Sequence, residues 1–444
     1  MTERTSHIAL IAVLAPLLAA VPGLFSARLT FAQASQNPAP QVLTLKQAEE
    51  IALKTHPQIQ AAQLRALAAG QVVTETKSAY YPFTYGSLTG AGAESASRIA
   101  AGVLNNPIIY NRYANGVTVN QLVTDFGRTL NLVASSRLHA QAEQQNAQAT
   151  REDVLLAVDY AYYQALRAQA LLTVADETVK QRQLVADQVS ELAKNRLKSG
   201  LDVSFANVNL EQAKLILVSA RNDVSAAFAQ LSTALGYQDN HTYSLAEEPM
   251  PGAPPPDASD LVVQALQGRP ELASLRYTSE SARRFAKAER DLWLPTVSFD
   301  GAAGLTPLHQ EQLTDRYAAA GLNVNIPIFN GRLYSARAAE ARLQAEAADQ
   351  NLRDEADRVA RDVRLAWLNA STAFQRLALT AQLLDEATLA LDLAQTRYKL
   401  GLGSIVELSQ AQLNQTEAQT ENAGAKYDYQ ISRADLDYQI GILQ

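Results

Sequence analysis

The chain has 444 residues, 47% hydrophobic and 19% charged, with a net charge of -7 and no cysteine. This excludes a disordered or collagen-like chain, and the missing cysteine excludes disulfides, thiol nucleophiles, Cys-ligated metals and a lipidated N-terminal cysteine. The acidic balance argues against a nucleic-acid partner, and the isolated His7, His56, His139, His241 and His309 form no metal-ligand spacing. Length alone suggests two or three ordinary domains, or one extended architecture.

Arg4 precedes an apolar run from Ile8 to Phe25 broken by Pro16, Pro22 and Gly23, and Ala32-Gln33-Ala34 supplies the small residues of a cleavage site. Residues 1–34 therefore read as a signal peptide and 35–43 as an N-terminal extension. No later segment reaches the roughly 18 apolar residues of a spanning helix. A helical tract follows over Leu45–Ala79, with a break at Pro57. Next come two segments of period-two alternation, Tyr81–Tyr85 and Val117–Asn120, which predict strands at about 80–92 and 113–126.

From Arg128 to Lys198 there is neither Gly nor Pro, in a stretch rich in Ala, Leu, Gln and Glu. As one helix it would span about 105 Å. Leu172, Ala175, Val179, Ala186, Val189 and Ala193 fall on one stripe, interrupted by Arg182, and Leu171, Val185 and Leu192 add a second column. A face this wide meets helices on two sides. After a turn at Gly200-Leu201, a shorter tract runs Val203–Leu235. Tyr237–Asp260 holds Pro249, Pro251, Pro254, Pro255 and Pro256, a linker composition.

The pattern then repeats. Ala52, Leu53, Pro57 and Pro82 recur as Ala265, Leu266, Pro270 and Pro295. Gly127-Arg128 recurs as Gly331-Arg332, and Arg196-x-Lys198-x-Gly200-Leu201 as Arg397-x-Lys399-x-Gly401-Leu402; Gly236 and Gly441 close the halves. The second pair of strands is predicted at about 293–304 and 317–330, followed by a Gly/Pro-free helix over Arg332–Leu400 and a helical C-terminus over Tyr438–Gln444. The first repeat thus covers 44–236, the linker 237–260 and the second repeat 261–444. Phe83, Tyr85, Val324 and Ile328 read as lipid-facing residues of a membrane β-barrel wall. Four strands cannot close such a barrel, for which about eight is the minimum, so several copies must share one. A small soluble sheet capping a helical bundle is the competing reading, and with it a periplasmic coiled-coil scaffold or adaptor-like protein. Adjacent carboxylates at Glu49/Glu50 and Glu247/Glu248 read as solvated charge. The absence of a phosphate loop or nucleophile elbow argues against an enzyme and against a cofactor.

The duplicated helix-strand-strand-helix-turn-helix order, the Ala-Leu-x-x-x-Pro openings, Ile326-Pro327-Ile328-Phe329-Asn330-Gly331-Arg332 and the two Arg-x-x-x-Gly-Leu turns together resemble the TolC family of outer-membrane efflux and secretion channels. The resemblance implies a mainly α protein with a membrane β-barrel portion. In it a homotrimer forms a twelve-stranded barrel in outer-membrane lipid of a Gram-negative type cell, above a twelve-helix periplasmic tunnel. It further implies a passive exit duct for an inner-membrane RND or ABC transporter, joined through a periplasmic adaptor. By the resemblance, Ser199, Gly200, Leu201, Leu400, Gly401 and Leu402 are the adaptor-contacting tips. Glu407 and Gln410 occupy the family's acidic positions at the periplasmic gate, so a trimer would carry about three carboxylates there rather than six. Tyr398 matches a tyrosine that ties the coils closed, its first-half partner falling at Asn207, or at Ala206 if the gap shifts by one. Tyr398 and Asn207 would then share a neutral hydrogen bond or no contact.

Overall fold

The computed structural model describes residues 42–94, 97 and 108–443. The signal peptide and residues 35–41 of the extension lie outside the described residues. In chain order the elements are β1 (Val42–Leu43), α1 (Leu45–Thr55), α2 (Pro57–Lys77), β2 (Phe83–Ala91), β3 (Arg112–Thr124), α3 (Arg128–Lys194) and α4 (Gly200–Ala234). The second series is β4 (Ser244–Leu245), α5 (Ser259–Gly268), α6 (Pro270–Arg290), β5 (Thr296–His309), β6 (Arg316–Asn325), α7 (Leu333–Lys399) and α8 (Ile405–Gln439). Among the described residues, no helix is long and apolar enough to cross a membrane.

Local chemistry sets these boundaries. Thr44 and Gln47 form a capping box at the start of α1. Pro57 and Pro270 each stand at the first position of α2 and α6, where a missing N–H costs nothing. β2 and β5 start later than the alternation predicts, because single helical turns at Ser78–Tyr80 and Asp291–Trp293 come first. β6 ends at Asn325, before Pro327, while β5 runs on to His309. The C-terminal helix stops at Gln439 rather than continuing to the end, because Gly441 (φ 75°) closes it through Ile442 N–H to Asp437 O, 3.1 Å.

Both long helices contain 67 residues, about 100 Å at 1.5 Å each. They match at a constant spacing: α3 with α7, α4 with α8, Ser199 with Ser404, Gly236 with Gly441. On that spacing the Gly-Arg pairs are one residue out of register. The left-handed corner between strand and long helix is Phe126-Gly127 in the first half and Gly331-Arg332 in the second. The positions match, although the glycines do not.

β2, β3, β5 and β6 form one antiparallel sheet in that order, leaving β2 and β6 as edges. Its register assigns each side chain a face. One face carries Ser298, Asn323, Asp300, Asn120, Thr118 and Tyr317; Asn120 donates to Asp300 across the strands. The other carries Leu88, Val117, Phe299, Leu305, Leu322 and Val324, all exposed. Val324 thus stands on the apolar face, but Phe83 and Tyr85, paired with Asn120 and Thr118, stand on the polar one. Ile328 lies beyond the last strand. Alternation alone could not settle this, because a strand with residues of both kinds on each face leaves its orientation to its neighbours. On the polar face the Tyr317 ring covers Gly116 and Gly304. A Cβ at Gly304 would sit 2.5 Å from that ring and 2.2 Å from Asn115 O. Thr306-Pro307 makes a bulge opposite Ala114, where proline needs no ladder partner.

The largest core lies midway along the helices, where α1, α3 and α4 bury Ala52, Val158, Tyr162, Leu231 and Leu235. Tyr162 Oη donates to Leu43 O (2.9 Å) and Ala246 O (2.6 Å), holding the parallel β1–β4 ladder against α3. The adjacent carboxylates are not simply solvated. Glu247 pairs with Lys426, Glu248 accepts from Leu45 N–H at 3.1 Å, and half-buried Glu49 stands against buried Asp159. Helix α1 folds these charges back onto the bundle, which one-dimensional spacing does not reveal.

Candidate functional site

The two helix reversals, α3 to α4 and α7 to α8, lie side by side. Ala186, Val189, Ala206, Leu210, Leu391, Tyr398, Ile405 and Leu408 form one apolar cluster joining them. α7 ends conventionally: Gly401 (φ 77°) follows the helix, its N–H donates to Tyr398 O at 3.1 Å, and Leu402 N–H donates to Arg397 O at 2.8 Å. In the first reversal the same role falls to Arg196 (φ 58°), with Leu197 N–H donating to Leu192 O at 2.9 Å. Gly200 is instead the first residue of α4, has ordinary backbone, and would meet nothing within 4 Å if it carried a Cβ. The matched Gly-Leu dipeptides are therefore not equivalent. The equivalent residues are the N-caps Ser199 and Ser404 and the acids three positions on, Asp202 and Glu407.

Ser199 and Asp202 form a reciprocal capping box, with Asp202 N–H donating to Ser199 Oγ at 3.2 Å and Ser199 N–H to Asp202 Oδ2 at 2.9 Å. The Ser199 hydroxyl holds the Asp202 carboxyl below the ordinary range. Ser404 likewise accepts from Glu407 N–H at 3.1 Å. The Glu407 carboxylate is engaged by Arg397 Nε at 2.9 Å, and Arg397 Nη2 also donates to Leu402 O at 3.2 Å. Gln410, one turn further, is exposed and donates to Asn414 at 2.8 Å. Leu197, Leu201, Leu400 and Leu402 are all exposed at this end, each with 65% or more of its surface open.

Tyr398 is 5% exposed, and its hydroxyl has no hydrogen-bond partner among the described residues. Burial, with nearby Asp202, pushes it up to about 12. Lys198 Nζ stands 3.8 Å from the ring centroid and reaches Tyr398 O at 3.5 Å. Of the two candidate partners, Ala206 packs in the same cluster, whereas Asn207 is exposed and makes no hydrogen bond to Tyr398. The first-half acid beside Tyr398 is Asp202, which the sequence reading passed over. The signal was present as Ser199-x-x-Asp202, a capping box directly after the turn.

The chain matches the family described as outer membrane efflux protein over residues 50–237 and 261–441. It is 23% identical to the outer membrane protein TolC of Escherichia coli over 355 residues, covering 75% of this chain and 72% of that one. It is 27% identical to protein CyaE of Bordetella pertussis, covering 83% and 78%. Among solved structures, the Campylobacter jejuni CmeC outer membrane channel superposes with a TM-score of 0.77 at 17% identity, over 96% of this chain and 94% of that one. The open state of the Neisseria gonorrhoeae MtrE channel superposes with a TM-score of 0.74 at 18% identity, over 89% and 88%. With its duplicated long helices and its sheet with one apolar face, the chain belongs to the outer membrane efflux protein family, resides in the outer membrane and is an efflux or secretion channel protein.

Proposed function

We propose that the protein is the exit duct of a tripartite efflux or type I secretion system and conducts substrates passively from an inner-membrane RND or ABC transporter through the periplasm to the outside. The observation that carries this reading is the open four-stranded sheet with one apolar, exposed face. An isolated sheet of that kind leaves two edges and its apolar face unsatisfied in water or lipid. Three copies joined edge to edge make a twelve-stranded barrel whose apolar side chains meet lipid. Tyr80, Tyr81, Phe126, Trp293 and Phe329 are exposed where helix passes into strand, the level at which aromatics suit the membrane surface. The paired helices then make a tunnel about 100 Å long.

At the far end, the exposed Leu201, Leu400 and Leu402 beside Ser199, Gly200 and Gly401 offer an adaptor apolar contacts on a turn stiffened by capping. Tyr398, with Lys198 and Asp202, ties the first coil to the second. Glu407 of each protomer narrows the entrance as a ring of carboxylates, partly neutralised by Arg397. Relatives named for antibiotic efflux and for alkaline protease secretion are both similar in sequence to this chain, which favours the pump rather than the duct as the selector of cargo.

Carbonate and urea extraction of membranes, followed by crosslinking from a photoreactive residue at Leu201, tests the reading. The expected result is a trimer that stays in the membrane and crosslinks to an adaptor. A protein that washes off would mean a periplasmic scaffold instead.

A further inference from the structure

Arg182 interrupts the apolar stripe of α3 and is 9% exposed. Its guanidinium makes one hydrogen bond among the described residues, Nη2 to Thr416 Oγ1 of α8 at 3.1 Å, and no carboxylate lies within ion-pair distance. Burial alone lowers its pKa, to about 10, so the group stays charged at neutral pH. It borders a cavity of about 200 Å³ between α3, α4 and α8, open to solvent on one side, with Phe205, Ile216, Val406 and Leu413 of its lining exposed. That cavity is lined by Thr178, Asn209, Ser409, Gln410 and Thr416 among apolar residues, and none of its lining residues is acidic. Across it Asn209 Nδ2 donates to Ser409 Oγ at 2.8 Å, which leaves the Ser409 hydroxyl hydrogen free to point into the space. The equivalent position in the second half is Ala387, so the charge belongs to one half alone.

A buried cation held only by a neutral hydroxyl is costly, because the lost hydration is not replaced by opposite charge. We infer that the cavity between α3, α4 and α8 binds a small monovalent anion of the halide or nitrate class, with Arg182 as its counter-charge and Ser409 and Asn209 as further donors. The volume admits a halide with a few waters. The lining comes from both helix pairs, since Arg182 belongs to the first coil and Ser409 and Thr416 to the second. The anion therefore ties the coils together about two to three turns above Glu407. This site does not depend on how the tips meet their partner.

The test uses the purified full-length protein in detergent. Thermal unfolding is followed in sodium bromide against sodium gluconate, a bulkier and more strongly hydrated anion, at constant ionic strength. Bromide should raise the Tm saturably in the native protein, and the saturable part should vanish in Arg182→Gln while persisting, weakened, in Arg182→Lys. An equal bromide response in native protein and Arg182→Gln would overturn the assignment. Should Arg182→Gln fail to assemble, bromide-soaked crystals of the native protein decide. An anomalous peak beside the guanidinium supports the site. A vacant cavity, or a carboxylate from a neighbouring protomer seated there, refutes it.

Discussion

At the scale of single residues, the tip is controlled by charges that neutralise one another. Arg397 holds Glu407 at 2.9 Å, which would mute the carboxylate ring proposed for a trimer. Arg397→Ala should therefore strengthen cation selectivity, and Glu407→Gln should weaken it, both read as reversal potentials in a salt gradient. Unchanged potentials in both variants would remove Glu407 from the conduction path. Tyr398 gives a second contrast. Its hydroxyl is buried without a partner among the described residues, so Tyr398→Phe should be neutral or stabilising by up to about 1 kcal/mol. Closed-state conductance should also stay unchanged, whereas Asp202→Asn should raise it by loosening the cap. If the phenylalanine variant leaks instead, the hydroxyl bonds across protomers. Sequence reading singled out Tyr398 and Glu407 and offered Asn207 or Ala206 as the first-half partner; Ala206 packs in the same cluster as Tyr398, and Asn207 makes no hydrogen bond to it. A residue count from Gly200 places the partner at Asn207, while the capping geometry places the acid at Asp202.

At the scale of elements, helix reversals are set by backbone conformation more than by glycine content. Gly401 sits at φ 77°, so Gly401→Ala should cost roughly 1–2 kcal/mol locally. Gly200 is the first residue of a helix with space around it, so Gly200→Ala should be tolerated or slightly stabilising. Chemical denaturation of the two variants side by side measures the difference, and equal losses would show that both reversals depend on glycine. The helices, their lengths and their breaks were legible in the spacing of Gly and Pro, since those residues act locally. The face assignment of β2 was not, because which side of a strand meets lipid depends on the strands it pairs with. Phe83 and Tyr85 show this: their aromatic character suggested lipid, but their partners are Asn120 and Thr118.

At the scale of the whole molecule, stability depends on pH through the mid-helix core. Burial, reinforced by Glu49, raises Asp159 to about 8, and Asp437 on α8, itself paired with Arg433, also acts on it, while Glu248 on the linker acts on Glu49. A carboxyl with a folded pKa above its unfolded value binds more protons when folded, so stability falls as pH climbs from about 4 to about 8. Asp159→Asn should flatten that slope, measured as Tm against pH; an unchanged slope would place the titration elsewhere. This pair escaped the sequence because Glu49 and Asp159 are joined only when α1 docks on α3. The duplicated plan, by contrast, was readable throughout, and even its errors of register were small.

The sheet's unlike edges have a genetic consequence. In the proposed ring β6 of one copy meets β2 of the next, a head-to-tail join in which every seam is the same. A variant spoiled at one edge would still offer a sound opposite edge and so enter mixed rings. If such a variant were co-expressed equally with the native chain, about one ring in eight would be free of it. Edge lesions in this protein should accordingly behave as dominant negatives, whereas lesions that stop the chain from folding at all should be recessive.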